Sequence, residues 1–569
     1  MQKSSFSREP LLFWIVALLV LGAGLGLRDP WPADEPRFAL VARQMVESGQ
    51  WLFPMRGDEL YPDKPPLFMW LQAACYALLG NLRVAFLLPS LLSALATLWL
   101  VRDLGKRLWH EQVGAYAAWA LLFALQFTFQ ARRAQIDPLV TFCITLSVYA
   151  LLRHLLRGSD LRLWMLGWFA AGLGVISKGV GAVALLVLLP AGLASLRGWG
   201  GITPQRWGRA STWLGPLALL LPLALWLGPM LWTVQHSGDP TLQAYADNIL
   251  LKQTAKRYSN AWHHHQPWWY FLVVMATQWL PAMLAVPWIV PRWREAIRQR
   301  DPRVLLPLAW MALVLLFFSL SAGKREVYIM PALPMLCLAM GPWLPEVMAR
   351  AWPRRLAFVM AAMLAGALAI GGAMVVFGSP GFEDKLARVR DVGGSADDLG
   401  ALLMAIGGCG LAALAWWRVR GAVPALLTTL GALWVGVGLL GQPMVNDASS
   451  ARGLMTRAGH RIGPQAELAL VGWKEQNLLM ADRPAPTFGF LRAPSEQLRD
   501  ALAWQRQGSA VRWLLVERQA LDSCIDRNRA VPMGIANRRE WWLVPADAVA
   551  ACFDAAGQVR VVAVAVAPE

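Results

Sequence analysis

The chain has 569 residues, of which 57% are hydrophobic and 16% are charged. Together with a mean hydropathy of +0.42, this composition excludes an ordinary soluble globular protein and predicts a polytopic α-helical membrane protein. The net charge of +17 does not indicate a nucleic-acid partner, because no basic stretch alternates with aromatic residues as strand binding requires.

Thirteen apolar segments are predicted to cross the membrane, since each is close to the ~20 residues that a helix needs to span hydrocarbon. In chain order they are 10–27, 84–103, 112–129, 137–153, 163–177, 180–196, 212–232, 269–290, 304–321, 327–345, 355–377, 400–418 and 421–441. Arg28-Asp29-Pro30 follows the first segment without a small-x-small cleavage site, so we interpret that segment as an uncleaved anchor. The shorter apolar run Leu67–Leu79 predicts a juxtamembrane helix in the first outer loop.

Basic residues are concentrated in every second gap between these segments, and the N-terminal tail adds Lys3 and Arg8. The positive-inside rule therefore places the N-terminus and these gaps in the cytoplasm. With thirteen spans, the C-terminus then lies outside. We divide the chain into a transmembrane domain at 1–441, which includes an outer loop at 28–83, and an external domain at 442–569.

The charged motifs typical of active sites all fall in the other gaps, on the outer side. They are Asp34-Glu35-Pro36-Arg37, Asp63-Lys64-Pro65, Arg132-Arg133 with Asp137, Lys178, Arg257 with His263-His264-His265, and Lys324-Arg325-Glu326. A membrane enzyme with one active site at one water interface requires this distribution. A transporter instead places ionisable groups near the middle of the bilayer, and the predicted spans are nearly free of charge there.

Two motifs in the first outer loop suggest chemistry. The paired carboxylates Asp34 and Glu35 can bind a cation, act as a base or orient a nucleophile; the alternative is a pair of solvated loop acids. In Asp63-Lys64, flanked by prolines, the ammonium is suited to contact phosphate as a point charge. The alternative for this motif is a turn with a surface ion pair.

The external segment differs in pattern from the rest of the chain. Short β-like runs alternate with helical patterns, which predicts a small α/β domain. The runs are Leu468–Trp473, Arg512–Glu517, Trp541–Pro545 and Val559–Val566, and the helical patterns are Ser449–Arg461 and Pro494–Gln507. Cys524 and Cys552 lie in this domain, where either a disulfide in an oxidising compartment or two reduced thiols fits the sequence.

The order and spacing of the motifs resemble those of the bacterial aminoarabinose–lipid A transferases, which belong with the protein O-mannosyltransferase-like membrane glycosyltransferases. The resemblance covers roughly residues 10 to 345. It is carried by Asp34-Glu35-Pro36-Arg37 and Tyr61-Pro62-Asp63-Lys64-Pro65-Pro66, by Ala131-Arg132 with Asp137-Pro138, by Ser177-Lys178-Gly179, by Arg257-Tyr258 with His264-His265-Gln266-Pro267-Trp268-Trp269-Tyr270, and by Phe317-Phe318-Ser319 with Lys324 and Tyr328-Ile329-Met330-Pro331.

The resemblance implies a multi-pass protein of the bacterial inner membrane, with a periplasmic C-terminal domain and juxtamembrane helices in its first outer loop. It implies a polyprenyl-phosphate sugar as donor, and lipid A or another envelope molecule as acceptor. A protein O-glycosyltransferase and a lipid-linked-sugar flippase are the alternatives. A scaffold would not need the Asp63-Lys64 motif at the membrane edge.

Roles for individual residues follow from the same resemblance. Asp34, Glu35 and Lys64 are the expected catalytic residues; Lys64, Arg257, Tyr328 and Lys178 are expected to bind the donor phosphate; and Arg37, Arg132, Asp137 and Lys324 are expected to support them. We expect Arg132, Arg133 and Asp137 to form a structural ion pair. Asp63 and His264 are expected to hold a divalent cation such as zinc, magnesium or manganese. Asp63 stands where the family often has Glu, and Asp247-Asn248 lie where it often has a Glu-His pair, so the sugar specificity of the best-known members is not carried over.

Overall fold

The protein is described by a computed structural model that covers residues 8–203, 208–250, 265–321, 323–378, 396–508 and 511–560. It is a helical bundle with a small α/β unit at its C-terminal end. The bundle helices are Glu9–Gly22, Leu88–Leu108, Glu111–Leu122, Leu125–Ala131, Ile136–Leu156, Leu161–Lys178, Leu188–Leu196, Leu214–Ser237, Pro240–Asp247, Tyr270–Gln278, Val286–Arg298, Pro302–Leu320, Leu333–Met340, Leu344–Ala349, Ala351–Val376, Ala396–Trp417 and Ala422–Gly436.

By length and composition, seven helices within the described ranges can cross a membrane, and up to nine if each of two bent pairs is one span. The seven are Leu82–Leu108, Ile136–Leu156, Ala210–Ser237, Pro302–Leu320, Ala351–Val376, Ala396–Trp417 and Val419–Met444. The predicted spans 10–27, 163–177, 180–196 and 327–345 coincide with helical segments that do not meet these criteria. The seven to nine candidate spans confirm a polytopic helical membrane fold. The predicted number of thirteen spans stays a prediction.

The two bent pairs support each other at their breaks. Helices Glu111–Leu122 and Leu125–Ala131 meet at 70°, and Tyr270–Gln278 and Ala282–Arg298 meet at 98°. The amide of Leu125 donates to the carbonyl of Leu280 at 2.9 Å, and the indole of Trp279 donates to the buried amide oxygen of Gln126 at 2.8 Å. A broken helix in hydrocarbon needs such partners for its freed backbone groups.

The first outer loop contains two longer helices, Glu35–Ser48 and Leu67–Leu79, with a two-stranded ribbon between these two. A short turn of helix follows at Leu82–Ala85. The ribbon pairs β1 (Met55–Arg56) with β2 (Glu59–Leu60) in antiparallel register. The predicted helix at Leu67–Leu79 is thus confirmed. Apolar residues of the Glu35–Ser48 helix, including Phe38 and Met45, are buried in the main core, so this helix is held firmly against the bundle.

The first span ends against the last one. Gly24 has a φ of +94°, and a Cβ there would lie 2.7 Å from the carbonyl oxygen of Gly438. The Arg132 guanidinium donates to the carbonyl of Val20 and to that of Ala23 at 2.9 Å. It thereby satisfies carbonyls that the end of the first helix leaves unpaired. This packing brings the exit of the first span beside the start of the C-terminal unit.

The C-terminal unit has a four-stranded sheet in the order β3-β4-β6-β5. Its strands are β3 (Glu467–Val471), β4 (Arg512–Glu517), β5 (Val531–Ala536) and β6 (Arg539–Val544), and its helices are Asn446–Ser450, Arg452–Ile462, Glu475–Leu479 and Pro494–Arg506. β3 and β4 are parallel, and the other two pairs are antiparallel.

Three predicted strands and both predicted helical patterns are therefore confirmed. The fourth predicted strand, Val559–Val566, is described only at 559–560, where Val559 forms an isolated bridge with Phe553. β5 was not predicted, because its Pro532 and Gly534 argue against a strand. Both are tolerated because β5 lies at the sheet edge and has an irregular register between these two residues. The structure joins Cys524 and Cys552 in a disulfide.

Candidate functional site

The two adjacent carboxylates of the first outer loop have different surroundings. Glu35 is 1% exposed and accepts two hydrogen bonds from the Arg28 guanidinium, at 2.5 and 2.7 Å. It also accepts from the backbone amides of Trp31 at 2.9 Å and Ala134 at 3.0 Å. Its oxygens are thus occupied and out of reach of a substrate. The expectation of a catalytic Glu35 is replaced by a structural role, in which Glu35 ties the loop to the 131–136 turn.

Asp34 is the carboxylate of the pair that remains accessible. Its side chain is 24% exposed, and among the described residues its one ion pair is with Arg37 at 3.4 Å. Asp34 directly precedes the Glu35–Ser48 helix, and Arg37 lies on the first turn of that helix. The buried neighbour Glu35 fixes the backbone, so Asp34 presents a carboxylate to solvent from a rigid base.

Arg37 also binds Glu475 of the C-terminal unit. Its Nε donates to Glu475 Oε1 at 2.8 Å, and the Glu475 side chain is 4% exposed. Burial alone would lower the pKa of Arg37, but the negative charge of Glu475, followed by Tyr61 and Asp34, raises it above its ordinary value. Arg37 therefore stays cationic, and its position depends on a carboxylate from the other end of the chain.

Glu475 is shared with a second arginine. Arg56 Nη1 lies 4.0 Å from the same carboxylate and 3.9 Å from Oδ2 of Asp63. The Arg56 guanidinium stacks on Phe490 of the C-terminal unit at 3.9 Å and over Tyr61 at 5.4 Å. These contacts connect the Asp34 and Asp63-Lys64 motifs through Arg37, Glu475 and Arg56.

The other predicted site residues form a second group. Lys178 pairs with Asp137, and its ammonium lies 5.3 Å from the ring centre of Tyr328. The expectation that Asp137 pairs with Arg132 or Arg133 is therefore wrong. Lys178 ends the Leu161–Lys178 helix, and Ile176 on that helix packs in one cluster with Phe53 of the first outer loop. This group thus lies at the same end of the bundle as the loop.

Arg132 and Lys324 both bind backbone carbonyls. Arg132 caps the first span, as described above. Lys324 is 5% exposed and donates to the carbonyls of Ser321 at 2.6 Å and Gln266 at 3.0 Å. His265 and Gly323 form a bridge beside it. Lys324 therefore anchors the end of the segment that carries the predicted Arg257 and His264.

Arg257 and His264 themselves lie outside the described residues. Within the described ranges, no group of three His, Cys, Asp or Glu side chains could hold a metal ion. The Asp63 side chain, 41% exposed, could supply one oxygen ligand. The expected pairing of Asp63 with His264 stays a prediction.

Sequence patterns did not indicate Arg56 or Glu475. Each lacks a motif, because its role depends on a partner far away in the chain; Arg37 and Glu475 are separated by 438 positions. Asp29 was missed for the same reason. It is 1% exposed and binds Arg83 at 2.8 Å and Arg452 at 2.5 Å.

The fold and site define a class of multi-pass membrane protein, in which a charged outer loop docks on a C-terminal α/β unit. A family model described as dolichyl-phosphate-mannose-protein mannosyltransferase matches residues 63–226. The chain is also 30% identical over 446 residues, and 76% of both lengths, to the undecaprenyl phosphate-α-4-amino-4-deoxy-L-arabinose arabinosyl transferase of Pseudomonas aeruginosa strain LESB58. The chain belongs to the family of these arabinosyl transferases.

Other relatives agree with this assignment. The proteins of the same name from Pectobacterium carotovorum and Pectobacterium atrosepticum are each 28% identical to the chain, which spans 60% of their length. Among solved structures, ArnT from Cupriavidus metallidurans bound to undecaprenyl phosphate has a TM-score of 0.70 at 21% identity. The match covers 94% of this chain and 97% of that one, so the whole fold is shared.

Proposed function

We propose that this chain transfers a sugar from an undecaprenyl-phosphate carrier to a phosphate of lipid A. We take 4-amino-4-deoxy-L-arabinose as the first sugar to test. The proposal rests on the accessible carboxylate of Asp34, which is held by Arg37 in a loop that also carries Asp63-Lys64. The relative from Pseudomonas aeruginosa, matched over 76% of its length, is named for this donor and sugar, which supports the proposal.

The proposed reaction exchanges one bond at the anomeric carbon. An acceptor oxygen forms a new bond to that carbon as the bond to the carrier's phosphate oxygen breaks, and undecaprenyl phosphate leaves with the electron pair. An acceptor phosphate is already anionic, so Asp34 orients it and the sugar rather than removing a proton. Lys64 offsets the negative charge of the leaving phosphate, together with Arg257, which the sequence predicts for the same role. Fixed cations at developing charge account for a large share of catalysis.

We propose that the reaction takes place at the periplasmic face of the inner membrane. The contacts of Arg37 with Glu475 and of Asp29 with Arg452 support a location of the first outer loop and the C-terminal unit on the same side of the membrane. Two observations favour the periplasm for that side. The Cys524–Cys552 disulfide suits an oxidising compartment, and the basic gaps lie elsewhere in the chain.

We also propose that Asp63 and His264 hold a divalent cation. When bound, such an ion would add positive charge beside the donor phosphate. Metal analysis of the purified protein tests this, with Asp63→Asn and His264→Ala as variants. The expected result is about one equivalent of metal in the wild type and a loss in both variants. Equal metal content in all three proteins contradicts the assignment.

Reconstitution tests the reaction itself. The full chain in lipid nanodiscs receives undecaprenyl-phosphate aminoarabinose and lipid A, and mass spectrometry follows the lipid A product. We expect a mass increase of one sugar that depends on both substrates. Transfer to a peptide instead would indicate a protein O-glycosyltransferase. Movement of the intact donor across a proteoliposome membrane without bond cleavage would indicate a flippase.

A further inference from the structure

The structure contains a cavity of about 340 Å³ between the first outer loop and the C-terminal unit. Its lining includes Trp31 and Ala33 from the loop, Ser449 from the segment after the last span, and Ile535, Asn537 and Arg538 from the C-terminal unit. We call it the junction cavity. Its volume lies in the range of small-ligand sites, and its lining combines an aromatic side chain with a few polar groups, as such sites do.

The junction cavity adjoins the accessible carboxylate. Ala33 lines it and Asp34 is the next residue, so their Cα atoms are about 3.8 Å apart. The same cavity is bounded by the exits of the first and last spans, at Trp31 and Ser449. A ligand there would lie beside the backbone that carries Asp34.

The charged side chain of the cavity comes from an unusual turn. Ala536 pairs with Arg539, so Asn537 and Arg538 are the two loop residues of the β5–β6 hairpin. Both have positive φ, 53° and 65°. Such a turn favours Asn followed by Gly, and an arginine is disfavoured at the second position. Residues kept in disfavoured conformations concentrate at binding and catalytic sites.

Asn537 fixes this turn against the rest of the site. Its side-chain amide donates to the carbonyl of Ser449 at 2.8 Å and to that of Ala448 at 3.3 Å. Its side-chain oxygen accepts from Gln476 at 3.4 Å, next to Glu475. The hairpin is therefore positioned by the segment leaving the last span and by the short helix that holds Arg37.

Arg538 is left facing the cavity with its charge exposed. Among the ion pairs of the described residues none includes Arg538, and the lining of the cavity contains no carboxylate. A guanidinium binds phosphate through two parallel hydrogen bonds. The Trp31 side chain, held by a hydrogen bond from its indole to Asn446 at 3.3 Å, offers an apolar surface beside it.

We propose that the junction cavity is the acceptor subsite, and that Arg538 binds a phosphate on the sugar head of the acceptor glycolipid. This inference rests on the proposed function and deepens it. The donor phosphate is assigned to Lys64, so the two anionic groups would be bound by different parts of the chain. The C-terminal unit thereby contributes to the choice of acceptor.

Steady-state kinetics of the full chain in nanodiscs test this subsite. For Arg538→Ala we expect the KM for lipid A to rise at least about tenfold, the effect of losing a charge-assisted hydrogen bond. The KM for the donor should stay unchanged. Arg538→Lys should recover part of the loss, since it keeps the charge but not the bidentate geometry. Arg527→Ala, which removes an exposed arginine from the same domain, is the matched control and should behave as wild type.

Direct binding separates this inference from the proposed reaction. Without donor, fluorescently labelled lipid A and its enzymatically dephosphorylated form are titrated against wild type and Arg538→Ala. We expect phosphate removal to weaken binding to the wild type and to leave binding to Arg538→Ala unchanged. If the wild type binds both forms equally, the subsite is overturned even where transfer occurs. If no transfer occurs but the phosphate preference depends on Arg538, the subsite stands and the proposed reaction fails.

Discussion

Asp34 and Glu35 differ in what their surroundings allow them to do. Glu35 accepts from Arg28, Trp31 and Ala134 and has no accessible oxygen. Asp34 forms a long ion pair with Arg37 and keeps a partly exposed side chain. Residue type and spacing alone could not separate them, because both are carboxylates at the start of the same helix. The difference between the two carboxylates is set by Arg28 and by the backbone amide of Ala134, which both bind Glu35.

We predict opposite phenotypes for isosteric changes at these two positions. Asp34→Asn keeps size and hydrogen bonding but removes the charge, so it should abolish sugar transfer while the protein keeps its wild-type thermal stability. Glu35→Gln leaves Arg28 buried without a counter-charge, which costs about 3–5 kcal/mol and should lower the unfolding temperature. Transfer assays and scanning fluorimetry of both variants measure this. Full turnover by Asp34→Asn would contradict the assignment.

Lys64 is the residue of the first outer loop that we predict to contact the donor phosphate. Lys64→Ala should slow sugar transfer, because the activation free energy should rise by about 2.7–4 kcal/mol, by analogy with the loss of an oxyanion donor. Lys64→Arg should not restore full activity, because the proline-flanked turn suits a compact ammonium. Lys106→Ala, which alters an exposed lysine outside this loop (58% exposed side chain), is the control. Wild-type rates in Lys64→Ala would exclude the role.

Among the elements, the short helix Glu475–Leu479 connects the C-terminal unit to the active loop. Glu475 at its start binds Arg37 and lies near Arg56. Lys474, the residue before it, lies close enough to Glu475, Arg37 and Arg56 to interact with their charges. Burial, and then the charge of Arg539, lowers the pKa of Lys474. Glu475 is therefore the buried carboxylate that Arg37, Arg56 and Lys474 have in common as a neighbour.

We predict that Glu475→Gln acts on turnover more than on binding. Without the negative charge, the 2.8 Å hydrogen bond from Arg37 becomes a weaker bond to a neutral amide oxygen, and Arg37 repositions relative to Asp34. A displacement of about 1 Å in a positioned group can reduce rate about 100-fold. The expected result is a fall in kcat with both substrate KM values nearly unchanged. Glu467→Gln, which removes the partner of Arg512 at the sheet edge, is the control.

A loss of protein stability alone would not produce that pattern. A merely structural role for Glu475 should lower the active fraction and the unfolding temperature together. If Glu475→Gln reduces the unfolding temperature and leaves the kcat per folded molecule unchanged, the positioning role is wrong.

Local sequence patterns predicted the helices and strands better than they predicted the contacts between them. The Leu67–Leu79 helix and strands β3, β4 and β6 have strong apolar periodicity, and the structure has them near the predicted bounds. The helix breaks at 70° and 98° have no such pattern, because Leu125 and Leu280 support each other across the fold. The ion pair of Asp137 with Lys178 was likewise set by packing, which put Lys178 closer than Arg132.

At the scale of the whole molecule, the same-side contacts constrain the topology. With the predicted span 10–27 between the N-terminus and the first outer loop, these contacts predict an odd total number of spans. We predict that a periplasm-active reporter fused after Gly441 is active, and that one fused in the basic gap at 102–107 is not. Activity of a cytoplasm-only reporter after Gly441 would contradict the orientation and the proposed compartment together.

Asp29 joins three parts of the molecule. Its carboxylate binds Arg83 after the juxtamembrane helix, and Asn446 and Arg452 of the C-terminal unit. Burial alone would raise the pKa of Asp29, but the hydrogen bonds from Arg452, Arg83 and Asn446 outweigh it and lower the pKa below its ordinary value of 3.8. The attachment of the C-terminal unit is therefore strongest when this carboxylate is charged.

The pH dependence follows from the direction of that shift. A depressed pKa in the folded state adds stability that is complete above the unfolded value and is lost as pH falls through the folded one. We predict that Asp29→Asn lowers the unfolding temperature at neutral pH, with a cost of about 1.5–3 kcal/mol for lost hydrogen bonds to charged groups. The difference from wild type should begin to shrink below about pH 4, because the unfolded-state carboxylate takes up a proton there while the folded-state carboxylate stays charged to a lower pH. Scanning fluorimetry from pH 3 to 7 measures both curves, with Asp526→Asn, in an exposed ion pair, as the control. A constant difference across that range would show that Asp29 stabilises the junction by packing rather than by its charge.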